Sequence, residues 1–302
     1  MFRAILVALL AIHLLPQPTL AGDRVSIGWG RLFNNDFLGD GKDRWRSGSY
    51  SISKVYGPGW TGELPTGIGQ MIELRFRGQT IQPANLSSPD PDDRRYAGTL
   101  SFGLHTHFSY EALEISLGGD LVFTGPQTGV GRFHDNAHEF FGTTRLEVLD
   151  DQIPNHLYPT ALAEVGRTFD VSPTVTFRPF IEAQGGVESL VRIGADWHFG
   201  AVGLNDFYMR DVATGHRYRA TRGSETGFAA VLGADIAYVD YSAFLPASDG
   251  YELTDARYRL RAGVQWQGKR AGIFYGLTYL SEEFEAQPEG QVVGSLRLNY
   301  SF

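Results

Sequence analysis

"TLSFGLHTHFSY", residues 99–110, sets Leu100, Phe102, Leu104, Phe108 and Tyr110 against Thr99, Ser101, His105, His107 and Ser109. A period of two puts each set on one face of an extended strand. The same alternation returns in four other stretches. "MIELRFRGQ" opposes Ile72, Leu74 and Phe76 to Glu73, Arg75 and Arg77, and "LEISLGGDLVF" opposes Leu113, Ile115, Leu117, Leu121 and Phe123 to Glu114, Ser116 and Asp120. "RYRLRAGVQWQ" sets Tyr258, Leu260, Val264 and Trp266 against Arg257, Arg259, Arg261 and Gln265. "SLRLNYSF" does the same with Leu296, Leu298, Tyr300 and Phe302 against Ser295, Arg297, Asn299 and Ser301.

Two architectures accommodate such strands. In a soluble sandwich the apolar face points inward and the charges meet water. In a transmembrane barrel the apolar face meets lipid and the charges line the lumen. The start of the chain favours the second. "MFRAILVALLAIHLLPQPTLAG" carries a basic Arg3, an apolar run from Ala4 to Leu15, Pro16 and Pro18, and small residues before a cut expected after Ala21. This predicts a signal peptide over residues 1–21 and an outer-membrane barrel domain over 22–302. No later apolar run approaches the roughly 20 residues of a spanning helix. Aromatic residues at strand ends (Phe108, Tyr110, Trp266, Tyr279) and a last strand closing on Phe302, resembling the assembly signal of bacterial outer-membrane proteins, point the same way.

Composition narrows the function classes. The 302 residues include no cysteine, so no disulfide can hold the exported chain together, and the net charge of −8 argues against a nucleic-acid-binding surface. Strands starting near Arg24, Trp45, Gly67, Tyr96, Glu111, Leu157, Thr174, Ser189, Thr226, Asp255, Ala271 and Val292 make about twelve, an even number as single-chain barrels require. The fold expected is therefore all-β, a transmembrane antiparallel barrel of about 12 strands, with both signs of charge plugging its lumen.

Three stretches stand out from the strands. "GPQTGVGRFHDNAHEFFG", residues 125–142, predicts a short helix on which Phe133, Ala137 and Phe140 or Phe141 share a stripe and His134 and His138 a neighbouring face. A histidine pair at this spacing suits zinc, yet no glutamate lies between the two to act as a base. "GRLFNNDFLGDGKDRWRSG", residues 30–48, delivers Asn34, Asn35 and Asp36 to a barrel rim, followed by Asp40 and Asp43. Carboxylate and amide oxygens suit calcium, although the same residues are ordinary turn formers. His105 and His107 share a strand face and are read as lumenal hydrogen-bonding groups.

Taken in order, "NND" (34–36), "DRWRSG" (43–48), "DRRYAG" (93–98), "GPQTGVGRFHDNAHEFFG" (125–142) and "DQIPN" (151–155) resemble the LpxR family of outer-membrane lipid A 3′-O-deacylases. The resemblance implies a twelve-stranded barrel with its site near the outer rim and the short helix beside it. It implies calcium-dependent hydrolysis of the 3′-linked acyloxyacyl ester of lipid A. Carried over by residue, Asn35 and Asp36 match the polar pair, as metal ligands, and His138 the catalytic histidine. The family's threonine aligns without a gap on Arg46, and Ser47 supplies the hydroxyl only after a shift of one residue. The family's lysine is missing, since no lysine lies between Lys54 and Lys269; Arg77, Arg94 and Arg95 are the candidate replacements.

The partners expected are lipid A within lipopolysaccharide, the surrounding outer-membrane lipids and, through the C-terminal strand, the barrel assembly machinery. The chain is expected to act as a monomer without nucleic acid. An esterase of another lipid, such as a phospholipid, and a non-catalytic barrel that has lost part of the site are the competing readings.

Overall fold

The alternation closes into a barrel. The computed structural model describes residues 24–142 and 146–300, so the signal peptide expected over 1–21 and the terminal Phe302 lie outside the described residues. The strands are β1 (Val25–Asn35), β2 (Trp45–Gly57), β3 (Met71–Gln82), β4 (Ala97–Tyr110), β5 (Leu113–Thr124), β6 (His156–Gly166), β7 (Phe169–Ser172) and β8 (Val175–Gly185). They continue with β9 (Glu188–Phe199), β10 (Tyr208–Arg210), β11 (Arg217–Arg219), β12 (Gly227–Ser242), β13 (Arg257–Gln267), β14 (Ala271–Leu280) and β15 (Gln291–Tyr300). Among the described residues one α-helix, α1 (Val130–Phe141), lies between β5 and β6.

Twelve of these strands, all but β7, β10 and β11, form an antiparallel ring in which β6 pairs with β8, β9 with β12, and β15 returns to β1. The sequence placed all twelve to within four residues of their starts. The closing seam is short. Phe33, Asn34 and Asn35 of β1 pair with Leu296, Ser295 and Gly294 of β15. A side chain at Gly294 would put its Cβ 2.5 Å from Leu38, so glycine is needed where the β1–β2 loop folds onto the last strand.

The burial pattern is inverted relative to a soluble protein. Along β13, Tyr258, Leu260 and Val264 are about half exposed, whereas Arg257, Arg259 and Arg261 are buried. Water would make that arrangement costly; lipid outside and a polar lumen inside make it favourable. The lumenal charges are matched. Asp235 bonds Arg192 (3.0 Å), Arg259 (2.9 Å) and Arg261, and Asp196 bonds Arg210 (2.7 Å) and Arg261 (2.8 Å). His105 bonds Asp120 and His107 bonds Glu73, both at 2.9 Å, so the strand histidines are lumenal hydrogen-bonding groups as expected.

One element has no counterpart in the sequence reading. Between β9 and β12 the chain turns into the barrel as the β10–β11 hairpin. Met209 and Tyr218 of the hairpin pack against Leu32, Val55, Met71 and Phe274 of the wall. At its tip, Asp211 accepts hydrogen bonds from Asn34 Nδ2 and Ser51 Oγ, each at 3.0 Å. The lumen is thus filled by a hairpin as well as by paired charges.

Candidate active site

β1 ends where Asn35 caps a single helical turn, Asp36–Leu38, by accepting the Phe37 amide on its side-chain oxygen (3.0 Å). This capping leaves Asp36 pointing inward with no exposed surface. Its Oδ2 accepts the Arg44 amide (2.7 Å), and its Oδ1 lies 3.1 Å from Ser47 Oγ. The same Ser47 hydroxyl lies 2.6 Å from Asp43 Oδ1 and so bridges the two carboxyls. Gln82 Nε2 also donates to Asp43 Oδ1 (2.6 Å).

The position of Ser47 follows from an irregularity in β2. Trp45 pairs with Gln82 and Gly48 with Thr80, so β2 carries one residue more than β3 across this interval. Such a bulge twists the strand and re-aims its side chains. Trp45 takes φ of +50° there, a left-handed conformation that costs a non-glycine residue roughly 1–2 kcal/mol. It is held by the stacking of Arg44 on the indole (4.1 Å) and by donation from its ring nitrogen to Asp93 (3.2 Å). The extra residue supplies the shift that the alignment of Ser47 demanded. Arg46 turns into the lumen instead and pairs with Glu188 (3.0 Å) and Glu283 (2.5 Å).

The helix arrives from the other side. Gly125 and Gly129, with φ of +82° and +69°, flank the turn Pro126–Thr128 that lifts the chain off β5 and starts α1. Asn155 accepts the Gln127 amide (2.8 Å), bracing the turn. At Gly98 an added Cβ would stand 2.9 Å from Val130, so glycine lets α1 seat directly on β4. Seated this way, α1 presents His134 and His138 inward and leaves Phe133 and Phe140 outward, 76% and 83% exposed. His138 Nε2 lies 3.1 Å from Asp43 Oδ2. His134 packs edge-on to His138 (centroids 4.5 Å apart), with its Nδ1 3.5 Å from the Tyr96 hydroxyl.

The electrostatics of the rim are unbalanced. Burial pushes the Asp36 carboxyl up to about 8, and neighbouring Asp43 and Asp40 add to the push against the lowering effects of the Arg44 amide and the Ser47 hydroxyl. Among the described residues no cationic side chain forms an ion pair with Asp36. Burial lowers His134 to about 4; the His138 ring adds to this and Asp43 opposes it. Arg94 and Arg95, candidates for the missing lysine, are committed elsewhere: Arg94 to Glu283 (2.6 Å), Arg95 to Asp151 (2.8 Å) and Asp249 (2.9 Å). Arg77 is buried on the lumenal face of β3.

Asp36, Ser47 and His138 are therefore gathered at one point of the rim, through Asp43, while Asn35 is the neighbouring cap whose side-chain oxygen is bound to the Phe37 amide. The sequence reading had Asp43 as a loop acid and as the start of "DRWRSG", without assigning it a role. The donors around Asp36 are oxygens, and its buried carboxyl has acids for neighbours. That combination fits a hard divalent cation, which would restore the charged form.

A sealed antiparallel barrel with lipid-facing apolar residues defines an integral outer-membrane protein, and here it carries a polar site at its rim. The comparisons place it more closely. The family described as outer membrane protein LpxR matches residues 5–302, and the chain belongs to that family. The solved structure of LpxR from Salmonella typhimurium is similar, with a TM-score of 0.76 at 18% identity over 91% of this chain and 100% of that one. The KdgM porin in complex with oligogalacturonate (TM-score 0.42, 8% identity, 92% of this chain and 99% of that one) shares only the general barrel form. So does the β domain of the Bordetella autotransporter BrkA (TM-score 0.41, 12% identity, 92% and 99%). No curated protein is significantly similar in sequence.

Proposed function

We propose that the protein is a calcium-dependent lipid A deacylase that hydrolyses the 3′-linked acyloxyacyl ester, with His138 as general base. The observation that carries this reading is the 3.1 Å pairing of His138 Nε2 with Asp43, next to the buried, cation-poor Asp36. Donation of the Nε2 proton to Asp43 holds the ring in one tautomer and makes Nδ1 the accepting nitrogen. Nδ1 takes a proton from water as the oxygen attacks the ester carbonyl. It returns that proton to the departing sugar oxygen, releasing the acyloxyacyl chain as a carboxylic acid. Asp43 orients the ring and stabilises the imidazolium formed between the two steps. Calcium held by oxygens of Asn35 and Asp36 would supply positive charge for the carbonyl oxygen as it turns anionic. Ser47 keeps Asp36 and Asp43 in register through its shared hydroxyl.

The test is mass spectrometry of lipid A incubated with the folded, detergent-purified barrel, with calcium or with a chelator. Loss of one acyloxyacyl unit only in calcium is expected. His138→Ala is expected to slow the reaction by about 10²–10⁴-fold while the barrel stays folded. Undiminished hydrolysis in that variant would remove His138 from the mechanism.

A further inference from the structure

The rim holds a set of donors that shares Asp43 and His138 with the proposed hydrolysis and adds His134, which that hydrolysis does not use. Asp43, His134 and His138 each offer a ligand atom, and these atoms lie within 4.8 Å of one another. Two are imidazole nitrogens from positions i and i+4 of α1, which share a helix face. The third is a carboxylate oxygen from the opposite β1–β2 loop. Calcium prefers oxygen and takes six to eight ligands, so this trio suits it poorly. Two nitrogens and one oxygen match a borderline ion such as zinc, with water completing a tetrahedron.

The spacing agrees. Ligands about 2.0–2.2 Å from a tetrahedral zinc stand roughly 3.4 Å apart. His138 Nε2 and Asp43 Oδ2 are already 3.1 Å apart, and the His134 ligand nitrogen lies within 4.8 Å of both. His134 is held for this by Tyr96, against which its ring stacks at 6.2 Å.

We infer that Asp43, His134 and His138 form an inhibitory zinc site beside the calcium-binding oxygens. Its inhibitory effect, though not its existence, rests on the general-base reading of His138. Zinc on Nε2 requires the other neutral tautomer, in which the ring's single proton has moved from Nε2 to Nδ1. The nitrogen that would accept from water is then lost. Asp43 is withdrawn from its orienting role at the same time, and the ion clamps α1 to the β1–β2 loop.

The experiment is calorimetric titration of the folded, detergent-purified barrel with zinc chloride in excess calcium, alongside hydrolysis of lipid A. The wild type is expected to bind one zinc and lose hydrolysis over the same concentration range. His134→Ala and His134→Phe, the second retaining a ring against Tyr96, are expected to bind zinc at least tenfold more weakly. Each should resist inhibition by the same factor, with hydrolysis normalised to its own zinc-free rate. No zinc binding by the wild type, or equal binding by both folded variants, overturns the site. His134-dependent zinc binding in a barrel that does not hydrolyse lipid A would keep the site and remove the hydrolase reading instead.

Discussion

Arg46 and Ser47 are consecutive, yet they belong to two regions with opposite electrostatics. Below the rim, Arg46 enters a cluster in which Glu188 and Glu283 face Arg46, Arg94 and Arg257. At the rim, Ser47 faces Asp36 and Asp43, and the groups around those carboxyls are a hydroxyl, an amide, a side-chain amide and an imidazole. Asp36 and the acids of the lumenal cluster are removed from water, whereas the Asp43 side chain is 38% exposed. The lumenal acids are neutralised within the chain, and Asp36 forms no ion pair with a cationic side chain among the described residues. Matched charges serve the closed lumen, and the unmatched carboxyl sets the rim apart from it.

Substitutions should separate the two regions. Arg46→Met leaves Glu188 and Glu283 short of a partner and is expected to cost about 3–5 kcal/mol of stability, read from the unfolding of the barrel in detergent. Asp36→Asn is expected to unfold like the wild type in chelator yet lose about 10²–10³ in hydrolysis with calcium. Equal stability losses in the two variants would erase the contrast. A smaller effect is expected for Asp43→Asn, about 10²-fold in turnover with little change in KM, because it disturbs the base without touching the ester. A purely structural Asp43 would lower the folded yield and leave the rate of the folded fraction unchanged.

The mildest test uses pH. Asp36, at about 8, sits above its ordinary 3.8, so between those values the folded chain holds a proton that the unfolded chain has released. Without a cation, this carboxyl favours the folded form most at low pH, and the advantage fades as pH rises towards 8. Calcium has to displace the same proton. Its half-saturating concentration for hydrolysis should therefore rise by about tenfold per pH unit as pH falls below 8. A flat dependence would mean that Asp36 is already ionised at the rim.

The barrel was legible because the bilayer imposes a period of two, which five of the wall strands show plainly in sequence and which only local bulges interrupt. The β10–β11 hairpin was not, since its strands of three residues are too short to show a period and face protein on all sides. The helix-like "GRFHDNAHEFFG" singled out His134 and His138 together, and only the family resemblance preferred His138; the outward turn of Phe133 and Phe140 was not readable. An apolar stripe reports that a helix exists before it reports which neighbour the stripe meets. Ser47 lay hidden for a different reason. Strand alternation makes Arg46 and Ser47 opposite in direction, and only the bulge at Trp45 decides which one the site receives. Asp43 appeared only as one of several loop acids and as the first residue of "DRWRSG", with no role attached to it.

The β1–β15 seam gives the site a history. Asn35 pairs with Gly294 across the joint, and Asp40 is bound in both directions to Val292, by its amide (3.1 Å) and by its carboxylate (3.2 Å). The first and last strands of the wall must therefore meet before the loop carrying Asp36 and Asp43 is fixed. An unfinished chain in transit through the periplasm has every residue of the site and none of its arrangement. The arrangement of the rim is thus a property of the closed wall and not of the loop alone.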